Sequence, residues 1–477
     1  MSRVVLLALI LACRPDRVPV GDRSDESAPD ISPPPLAAPV NLLLVTVDTL
    51  RADHLGSYGY PRRTSPALDR LAAEGTTFER VFAPRGLTWP SLTSLHTSLY
   101  PQRHGVRDNG QWLRAGHASL ATVLRDAGFA TAAFLTNMTN AAHAGFEVKE
   151  AFPVDMLGTG TERPTDALAT EAALGWLEAH REQRFFLWLH LLAPHAGYQP
   201  PALWRGVFTG GDASAGAAEA LWRITSDRRD LSEAELAHIH GLYDGEVAYN
   251  DQLLDALLRT LAELGIERRT LVVFTADHGE ELYERHHYFF HKCSVYDAVL
   301  RVPLVLRLPP LVPAGRRVAQ VVTTVDIAPT VLELLGLEAP AAFEGRSRAA
   351  LTTARGAGAA SRDDAASGMA FSELGEDIAS VRTARWRYVY NPKLAALPVD
   401  HGGGPASCYP ILAEELYDLE GTGSEQRNVV AEHPEVAERL RRAVIAWRRS
   451  ARRDGTPAPA TLDDETQAEL RALGYLR

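Results

Sequence analysis

The feature that most constrains the fold is an alternation, from Asn41 onward, of short apolar runs with longer amphipathic stretches. The apolar runs are NLLLVTV, ATAAFL, FFLWLHLL, LVVFTA and VPLVLRL. Runs this short and continuous are typical of strands that are covered on both faces, as in parallel sheets. The stretches between them, such as SPALDRLAAEG, HASLATVLRDAG and DIAPTVLELLG, have helical spacing and end in glycine. The pattern predicts an α/β fold with a mostly parallel sheet sandwiched by helices.

The pattern changes after residue 345. Residues 346–369 are rich in Ala, Gly, Ser, Arg and Asp without periodicity, and we interpret them as a linker. Beyond them, ASVRTARWRYVYN and EELYDLE predict antiparallel strands, and PEVAERLRRAVIAWRRSARR predicts an amphipathic helix with a basic face. We therefore expect an α/β domain over 40–345 and a small C-terminal α+β subdomain with antiparallel strands over 370–477.

The N-terminus has the features of an export signal. Arg3 precedes an apolar run that is too short to span a bilayer, and Cys13 follows that run. The sequence ILAC resembles a bacterial lipobox, which implies lipidation of Cys13 after residues 1–13 have served as the signal peptide; an ordinary signal peptide or a buried strand is the alternative. The Pro- and Asp-rich residues 14–39 predict a disordered tether. We expect a cell envelope lipoprotein, on the periplasmic side or in the outer membrane, whose only membrane contact is its lipid.

Composition excludes some classes of protein. A chain of 477 residues that is 46% hydrophobic can bury a large core. Its net charge of -11, with Lys and Arg scattered along the chain, argues against a nucleic-acid partner. Besides Cys13, only Cys293 and Cys408 are present, so there is no disulfide framework and no cysteine metal site, although these two could pair in an oxidising periplasm.

Polar side chains follow several of the predicted strands. In open α/β sheets, ligands bind outside the carboxyl ends of the strands. One Asp at such a position usually caps a helix, but several polar residues at one edge predict a site. The residues at these strand ends are Asp48, Asn137, His190, His195, Asp277 and His278.

Three of these residues form a set of metal ligands. Asp48, Asp277 and His278 offer two carboxylates and an imidazole, which suit one divalent cation. Thr88, in the stretch GLTWPSLTS, is the hydroxyl that such a cation could bind and activate. Pro90 suits the first turn of a helix, so Thr88 is either the cap of that helix or a nucleophile at its N-terminus, where an anion is stabilised.

A series of blocks in a fixed order resembles the sulfatase family of the alkaline phosphatase superfamily, over residues 41–449. The resemblance implies an alkaline phosphatase-like fold with a mixed, mostly parallel sheet. It also implies one divalent cation, typically Ca²⁺, with Mn²⁺, Mg²⁺ or Zn²⁺ as alternatives, and an anionic ester as substrate. The blocks are NLLLVTVDTLRADHLGSYGY, SPALDRLAAEGTTFERVFAP, TWPSLTSLHTSLYPQRHGV, LLAPHAGYQPP, TLVVFTADHGEEL, HKCSVYDAVLRVPLVLRLP, TTVDIAPTVLELLGL and EELYDLEGTGSEQRNVVAEHPEVAERL.

The resemblance assigns roles to individual residues. Asp48 matches the family's first metal aspartate, and Asp277 with His278 matches its second metal pair. His195 matches the histidine that meets the anionic or leaving oxygens of the ester, although it could instead cap a loop. Lys292 matches the lysine that clamps the bound anion, although it could instead be a surface charge. With Asn137 from its strand end, His195 and Lys292 form the expected substrate-binding set.

The departures from the family concern the nucleophile and its support. Thr88 stands where the family has the Cys or Ser that becomes formylglycine, and a threonine cannot yield that aldehyde. Leu92 replaces the arginine that supports formylglycine. Thr136 and Met138 replace the cations of the family's Lys-x-His clamp. Thr49, directly after Asp48, replaces the second of the family's paired N-terminal metal aspartates.

The residues thus favour a formylglycine-independent, metal-dependent hydrolase of sulfate esters in which Thr88, His195 and Lys292 are catalytic and Thr88 is also a metal ligand. A phosphodiesterase or phosphotransferase that forms a phospho-Thr intermediate is the first alternative. A catalytically weak binding protein with this fold is the second. We also expect the insertion over 204–235 to shape the mouth of the pocket, and His286, His287 and His291 could form a second metal site.

Overall fold

The computed structural model describes residues 40–136, 145–152, 164–210, 212–285, 287–352, 368–394, 409–420 and 424–450. All of them belong to one compact unit that spans residues 38–477. The expected signal peptide and tether, and with them Cys13, lie outside the described residues. So do Asn137, Met138 and Cys408.

The strands form an eight-stranded, a four-stranded and a two-stranded sheet in the described part of the chain. In chain order they are β1 Asn41–Val47, β2 Thr76–Phe82, β3 Ala130–Leu135, β4 Val148–Ala151, β5 Phe185–Leu191, β6 Thr270–Ala276, β7 Glu281–Leu282, β8 Phe289–Phe290, β9 Arg301–Arg307, β10 Arg316–Thr323, β11 Ala370–Leu374, β12 Ile378–Arg382, β13 Trp386–Tyr390 and β14 Glu414–Asp418.

The large sheet has the strand order β10-β2-β9-β6-β1-β5-β3-β4. β9 is antiparallel to both of its neighbours, β2 and β6, and the remaining pairings are parallel. This is the mixed, mostly parallel sheet that the sequence predicted. β1, β5 and β6 are buried along their whole length, which explains why their sequences are unbroken apolar runs.

Helices connect and cover these strands. They are α1 Pro66–Ala73, α2 Thr88–Thr97, α3 Pro101–His104, α4 Leu120–Asp126, α5 Thr165–His180, α6 Ala202–Arg205, α7 Ala218–Asp227, α8 Glu233–Glu263, α9 Asp297–Leu300, α10 Ile327–Leu334, α11 Ala349–Thr352 and α12 Pro434–Ser450, with short 3₁₀ turns at Ala52–His54, Gly56–Tyr58, Ser214–Gly216, Glu267–Arg269 and Thr324–Asp326. None of the helices in the described ranges combines the length and apolarity needed to cross a membrane.

The C-terminal part is α+β, as the sequence predicted. β11 to β14 form an antiparallel sheet in sequence order, and α12 packs on it through Ala437, Leu440 and Val444. Within the segment 346–369, which was predicted to be a linker, Ala349–Thr352 forms the helical turn α11. Residues 353–367 of that segment lie outside the described residues.

Candidate metal and catalytic site

Three buried side chains meet at the carboxyl edge of β1, β5 and β6. β1 pairs with β5 on one side and with β6 on the other, so residues at the ends of these strands are neighbours. Asp48, His190 and Asp277 each present one ligand atom, and these atoms lie within 4.8 Å of one another. All three side chains are fully shielded from solvent. The strand ends therefore build a group that could hold a metal ion.

His190 was noted in the sequence as a strand-end residue but was given no role in the predicted metal set. Its Nε2 lies 3.8 Å from Asp48 Oδ2. Its Nδ1 lies 2.9 Å from the hydroxyl of Thr46, which also accepts a 2.8 Å hydrogen bond from Trp188 Nε1. When Nδ1–H donates to Thr46, the lone pair on Nε2 faces Asp48. Metal-binding histidines are held in this way by a bond from the other ring nitrogen.

His278 lies where the sequence predicted it, beside both carboxylates. Its Nε2 is 3.8 Å from Asp48 Oδ1 and 3.5 Å from Asp277 Oδ2. Its Nδ1 donates to the carbonyl of Gly279 at 3.0 Å, which leaves the Nε2 lone pair facing the carboxylates. The arrangement of His278 therefore repeats that of His190 on the other side of Asp48.

The charges of this group are poorly balanced without a cation. Burial and the charge of Asp48 raise the pKa of Asp277 well above its ordinary value. Burial also opposes ionisation of Asp48, but without a cation the His190, His195 and His278 rings, in their protonated form, outweigh it and bring the pKa of Asp48 to about 2. When the rings are neutral, their lone pairs face the carboxylates instead. Asp277 Oδ2, His190 Nε2 and His278 Nε2 are buried and have no hydrogen-bond partner among the described residues. Lone pairs that face one another in this way fit a divalent cation.

Thr88 is the first residue of α2 and not its cap, which corrects one of the two interpretations of this residue. The N-cap is Leu87, in an extended conformation. The Thr88 hydroxyl is completely buried and donates to Asp48 Oδ2 at 3.3 Å. The first turn of α2 is tied to the same edge of the sheet, because Ser91 Oγ donates to the carbonyl of Asp277 at 2.6 Å. The hydroxyl thus lies at the carboxylate group, beside the N-terminus of the helix.

Asn109 is a residue that the sequence analysis missed. Its Oδ1 accepts a 3.0 Å hydrogen bond from the backbone N–H of Trp89, the residue after Thr88. Its Nδ2 is buried and has no hydrogen-bond partner within the described part of the chain. A buried amide donor beside the Thr88 peptide is suited to an anionic oxygen bound at Thr88. No spacing rule links the two positions, so the sequence carried no signal for this contact.

His195 joins the site through a second histidine. Its ring centre lies 5.2 Å from that of His291, which in turn lies 4.4 Å from that of His278. His195 Nδ1 contacts the carbonyl of Ala196 at 2.8 Å. Glu280 bonds to both sides of this group, with Oε1 3.0 Å from His291 Nδ1 and Oε2 accepting from the N–H of Ala196 at 3.2 Å. Burial lowers the pKa of His195.

Lys292 directly follows His291 and is half-buried. Its charge is close enough to His195 to depress the pKa of that imidazole further, after burial. Thr136, at the position of the family's lysine clamp, instead has a structural role, because its N–H and its hydroxyl both donate to the carbonyl of His190 at 3.1 Å. The next residue is Asn137, whose amide was predicted to bind substrate. It lies outside the described residues.

The histidines of the proposed second metal site have different partners. His287 lies 3.2 Å from Asp230 and 2.8 Å from the carbonyl of Arg228, whereas His291 bonds to Glu280. His286 lies outside the described residues. Cys293 forms a disulfide. The two other cysteines of the chain, Cys13 and Cys408, lie outside the described residues.

The insertion over 204–235 lies against the segment that precedes His291. Thr225, on α7, accepts a 3.2 Å hydrogen bond from the N–H of Phe289. Trp222, one turn earlier, stacks on Phe290 with ring centres 4.3 Å apart. The insertion therefore supports the chain next to His291 and Lys292, close to where the sequence predicted the mouth of a pocket.

The fold and the site together define a hydrolase of the alkaline phosphatase type, and the chain belongs to the sulfatase family of the alkaline phosphatase superfamily, whose family model, Sulfatase, matches residues 40–337. Among its relatives, arylsulfatase K of Bos taurus is 24% identical over 453 residues, which cover 84% of this chain and 80% of the relative.

Two solved structures have the same fold. The structure of BT4656 in complex with its substrate D-glucosamine-2-N,6-O-disulfate has a TM-score of 0.70 and 19% identity, and the match covers 89% of this chain and 100% of that one. The phosphonate monoester hydrolase of Agrobacterium radiobacter has a TM-score of 0.68 and 20% identity, and the match covers 87% of this chain and 96% of that one.

Proposed function

We propose that this protein hydrolyses sulfate esters with Thr88 as its nucleophile, in a site that binds one divalent cation and does not use formylglycine. The observation that carries the proposal is the contact of the buried Thr88 hydroxyl with Asp48, 3.3 Å away, at the group formed by Asp48, His190 and Asp277. A hydroxyl at a helix N-terminus, beside a cation site, has both supports that an attacking oxygen needs.

The side chains divide the reaction between them. Thr88 Oγ1 attacks the sulfur of the bound ester, and its proton passes to Asp48 Oδ2, which accepts its hydrogen bond, as the new O–S bond forms. The bond between sulfur and the leaving oxygen breaks, and His195, in its protonated form, gives the leaving oxygen a proton. Lys292 and the Nδ2 group of Asn109 bind the anionic oxygens. Water then attacks the sulfur of the covalent intermediate and gives a proton to His195, the bond between sulfur and Thr88 Oγ1 breaks, and Asp48 returns its proton to Oγ1, so sulfate is released and the Thr88 hydroxyl is restored.

The ligands that we propose for the cation are Asp48, Asp277, His278 and Thr88, with His190 added from its geometry. When bound, the cation lowers the pKa of a coordinated hydroxyl and neutralises charge on the transferred group. Calcium is the expectation from the family. The imidazoles of His190 and His278 are the donors that would instead select Mn²⁺ or Zn²⁺, and metal analysis of the purified protein decides between them.

The alternative within the same site is a phosphodiesterase, phosphonate hydrolase or phosphotransferase that works through phospho-Thr88. Thr88 itself favours it, because formylglycine can expel sulfate by re-forming its aldehyde, whereas an ordinary ester of threonine depends on water or another acceptor. The relatives include a phosphonate monoester hydrolase by fold. A third option is a binding protein with little catalysis, and the residues that motivate it are Leu92, Thr136 and Met138.

We also propose that the protein is exported and anchored by a lipid on Cys13. The support is the N-terminal sequence, in which Arg3, an apolar run and ILAC occur in that order. Loss of membrane association in a Cys13→Ala variant, with the rest of the chain still exported, is the expected result.

The function is tested by assaying aryl sulfates, phosphate monoesters, phosphodiesters and phosphonates, each with Ca²⁺, Mn²⁺, Mg²⁺ or Zn²⁺. We expect sulfate esters to be preferred and Thr88→Ala to reduce kcat at least about 10³-fold. Thr97→Ala, which removes a buried hydroxyl from the same helix, is the matched control and should retain activity. Preference for phosphodiesters or phosphonates would select the alternative, and no turnover on any ester would select the binding protein.

A further inference from the structure

A second inference concerns how the chain holds His195, and it rests on the role proposed for that residue. His195 lies in a loop, residues 192–199, that follows β5. Its backbone N–H donates to the carbonyl of Leu192 at 3.0 Å, so the two residues close a turn. The orientation of His195 therefore depends on where the first residues of this turn are fixed.

Asp166, in the first turn of α5, fixes them. Its Oδ1 accepts the N–H of Leu192 at 2.9 Å, and its Oδ2 accepts the N–H of Ala193 at 3.0 Å. The side chain is buried, and no Lys or Arg among the described residues is close enough to figure in its electrostatics. Burying a carboxylate without a cation is costly, and burial indeed raises the pKa of Asp166. The two carboxylate oxygens instead accept hydrogen bonds from two successive backbone N–H groups of the loop.

The rest of the loop is held by other buried polar side chains. Asn250, on α8, donates through Nδ2 to the carbonyl of Ala193. Glu246, one turn earlier on the same helix, accepts the N–H of Gln199 at 2.8 Å. On the side of the metal group, Glu280 accepts the N–H of Ala196. The loop that carries His195 is thus anchored by hydrogen bonds to its backbone from α5, from α8 and from Glu280, which directly precedes β7.

We infer that Asp166 is a positioning residue for His195: its carboxylate fixes Leu192 and Ala193, and through their turn it aims the His195 imidazole at the leaving oxygen. Small displacements of a catalytic group can cost about 10²-fold in rate. The loss should depend on the leaving group, because a general acid matters most when the leaving oxygen is strongly basic.

The test compares Asp166→Asn with Asp251→Asn. Asp251 is a matched control, since its carboxylate is also buried and accepts two successive amides, Ala67 N–H and Leu68 N–H at 2.8 Å each, at the start of α1. In each variant the amide replaces one acceptor oxygen. We expect Asp166→Asn to lower kcat on phenyl sulfate about 10²-fold but on 4-nitrophenyl sulfate less than about 3-fold. His195→Ala should have the same selective pattern, and Asp251→Asn should not.

Amide hydrogen exchange of residues 190–199 gives a readout that does not depend on turnover. Exchange at Leu192 and Ala193 should be faster in Asp166→Asn than in the wild type and unchanged in Asp251→Asn. If Asp166→Asn does not fold, Asp166→Ser takes its place with the same expectations, because a single hydroxyl does not replace both carboxylate oxygens that accept the Leu192 and Ala193 N–H groups.

The outcomes separate the two claims. Unchanged exchange, or equal losses on both esters, would overturn the positioning role of Asp166. Faster exchange in Asp166→Asn together with a His195→Ala variant that loses nothing selectively on phenyl sulfate would instead overturn the general-acid role of His195, and the anchoring of the loop by Asp166 would stand.

Discussion

The proposed reaction depends on individual side chains that differ from those expected of the sulfatase family. Thr88 can form a covalent ester but has no internal way to break it, so the second half of the reaction falls to water. Two neighbouring groups are suited to the attack of water on that ester. Asn109 supplies a hydrogen-bond donor, and the His195 imidazole, which lies beside His291, is suited to take up a proton. The hydroxyl, the amide donor and the imidazole are therefore the groups on which the proposed reaction depends.

The pH dependence of the reaction reports on His195. Burial lowers the pKa of this imidazole below its ordinary 6.5, and a general acid must be protonated to act. At saturating metal, kcat/KM should therefore fall as pH rises through a midpoint below 6.5. The measurement is the pH profile of kcat/KM on phenyl sulfate. His195→Ala should lack this limb, and an identical limb in that variant would assign it to another group.

Residue by residue, the sequence predicted the site unevenly. Asp48, Asp277 and His278 were found because acids and imidazoles stand out at the ends of apolar runs. His190 also stands out, because it interrupts an apolar run. Its orientation, however, depends on Thr46, the residue opposite it in the sheet, and that pairing cannot be read from the sequence. Asn109 and Asp166 act through hydrogen bonds to the backbone of distant residues, and such contacts leave no pattern in the sequence.

Among the elements, α12 contributes no side chain to the proposed site. Weakening its packing on the C-terminal sheet should therefore leave the site intact. Leu440 is fully buried between α12 and the C-terminal sheet. Leu440→Ala should reduce the free energy of unfolding by about 2–5 kcal/mol, because it removes apolar contacts and leaves a cavity. The kcat of the folded protein should not change. Urea unfolding followed by kinetics on the folded fraction measures both.

Arg439→Ala, at an exposed position one residue away, serves as the control and should alter stability by less than about 0.5 kcal/mol. A lower kcat in Leu440→Ala at conditions where the protein is folded would mean that α12 contributes to the site directly.

Strands and helices were predictable where burial dictates their composition. β1 and β3 match their predicted runs residue for residue. β2 and β10 were missed because charged residues interrupt them at partly exposed positions. The start of α8 was also missed, although Ser232 and Glu235 form a capping box there, a pattern that can be recognised in a sequence.

At the scale of the whole molecule, the proposed cation should link the site to stability. Without it, burial and Asp48 raise the pKa of Asp277, so the folded protein holds a proton that the unfolded chain releases above about pH 4. Stability of the metal-free protein should then fall as pH rises from about 4 toward the folded pKa. A bound cation replaces that proton, so the gain in Tm on adding metal should be larger at about pH 8 than at about pH 5.

Thermal unfolding of the protein, treated with a chelator and then reloaded with each metal, measures this gain. Asp277→Asn should lose most of it, because one carboxylate ligand is gone. A gain in Tm that is the same at both pH values, or that persists in Asp277→Asn, would count against a cation at this group.

The large-scale architecture followed from the sequence because one alternating pattern specifies strands, helices and the edge where polar residues gather. The pairing order of the strands did not follow from it. That order brings β1 between β5 and β6, and so brings Asp48, His190 and Asp277 together from residues that are far apart in the chain.

The central claim is that Thr88 is the nucleophile, and the most direct measurement is mass spectrometry of the protein quenched in acid during turnover. We predict that the peptide containing Thr88 carries one sulfuryl group, located on the Thr88 side chain, and that the adduct is absent from Thr88→Ala. A phosphoryl group there, formed from a phosphate ester, would keep Thr88 as nucleophile and select the alternative substrate class. Steady turnover in which Thr88 is never modified, or which Thr88→Ala retains, would contradict the account.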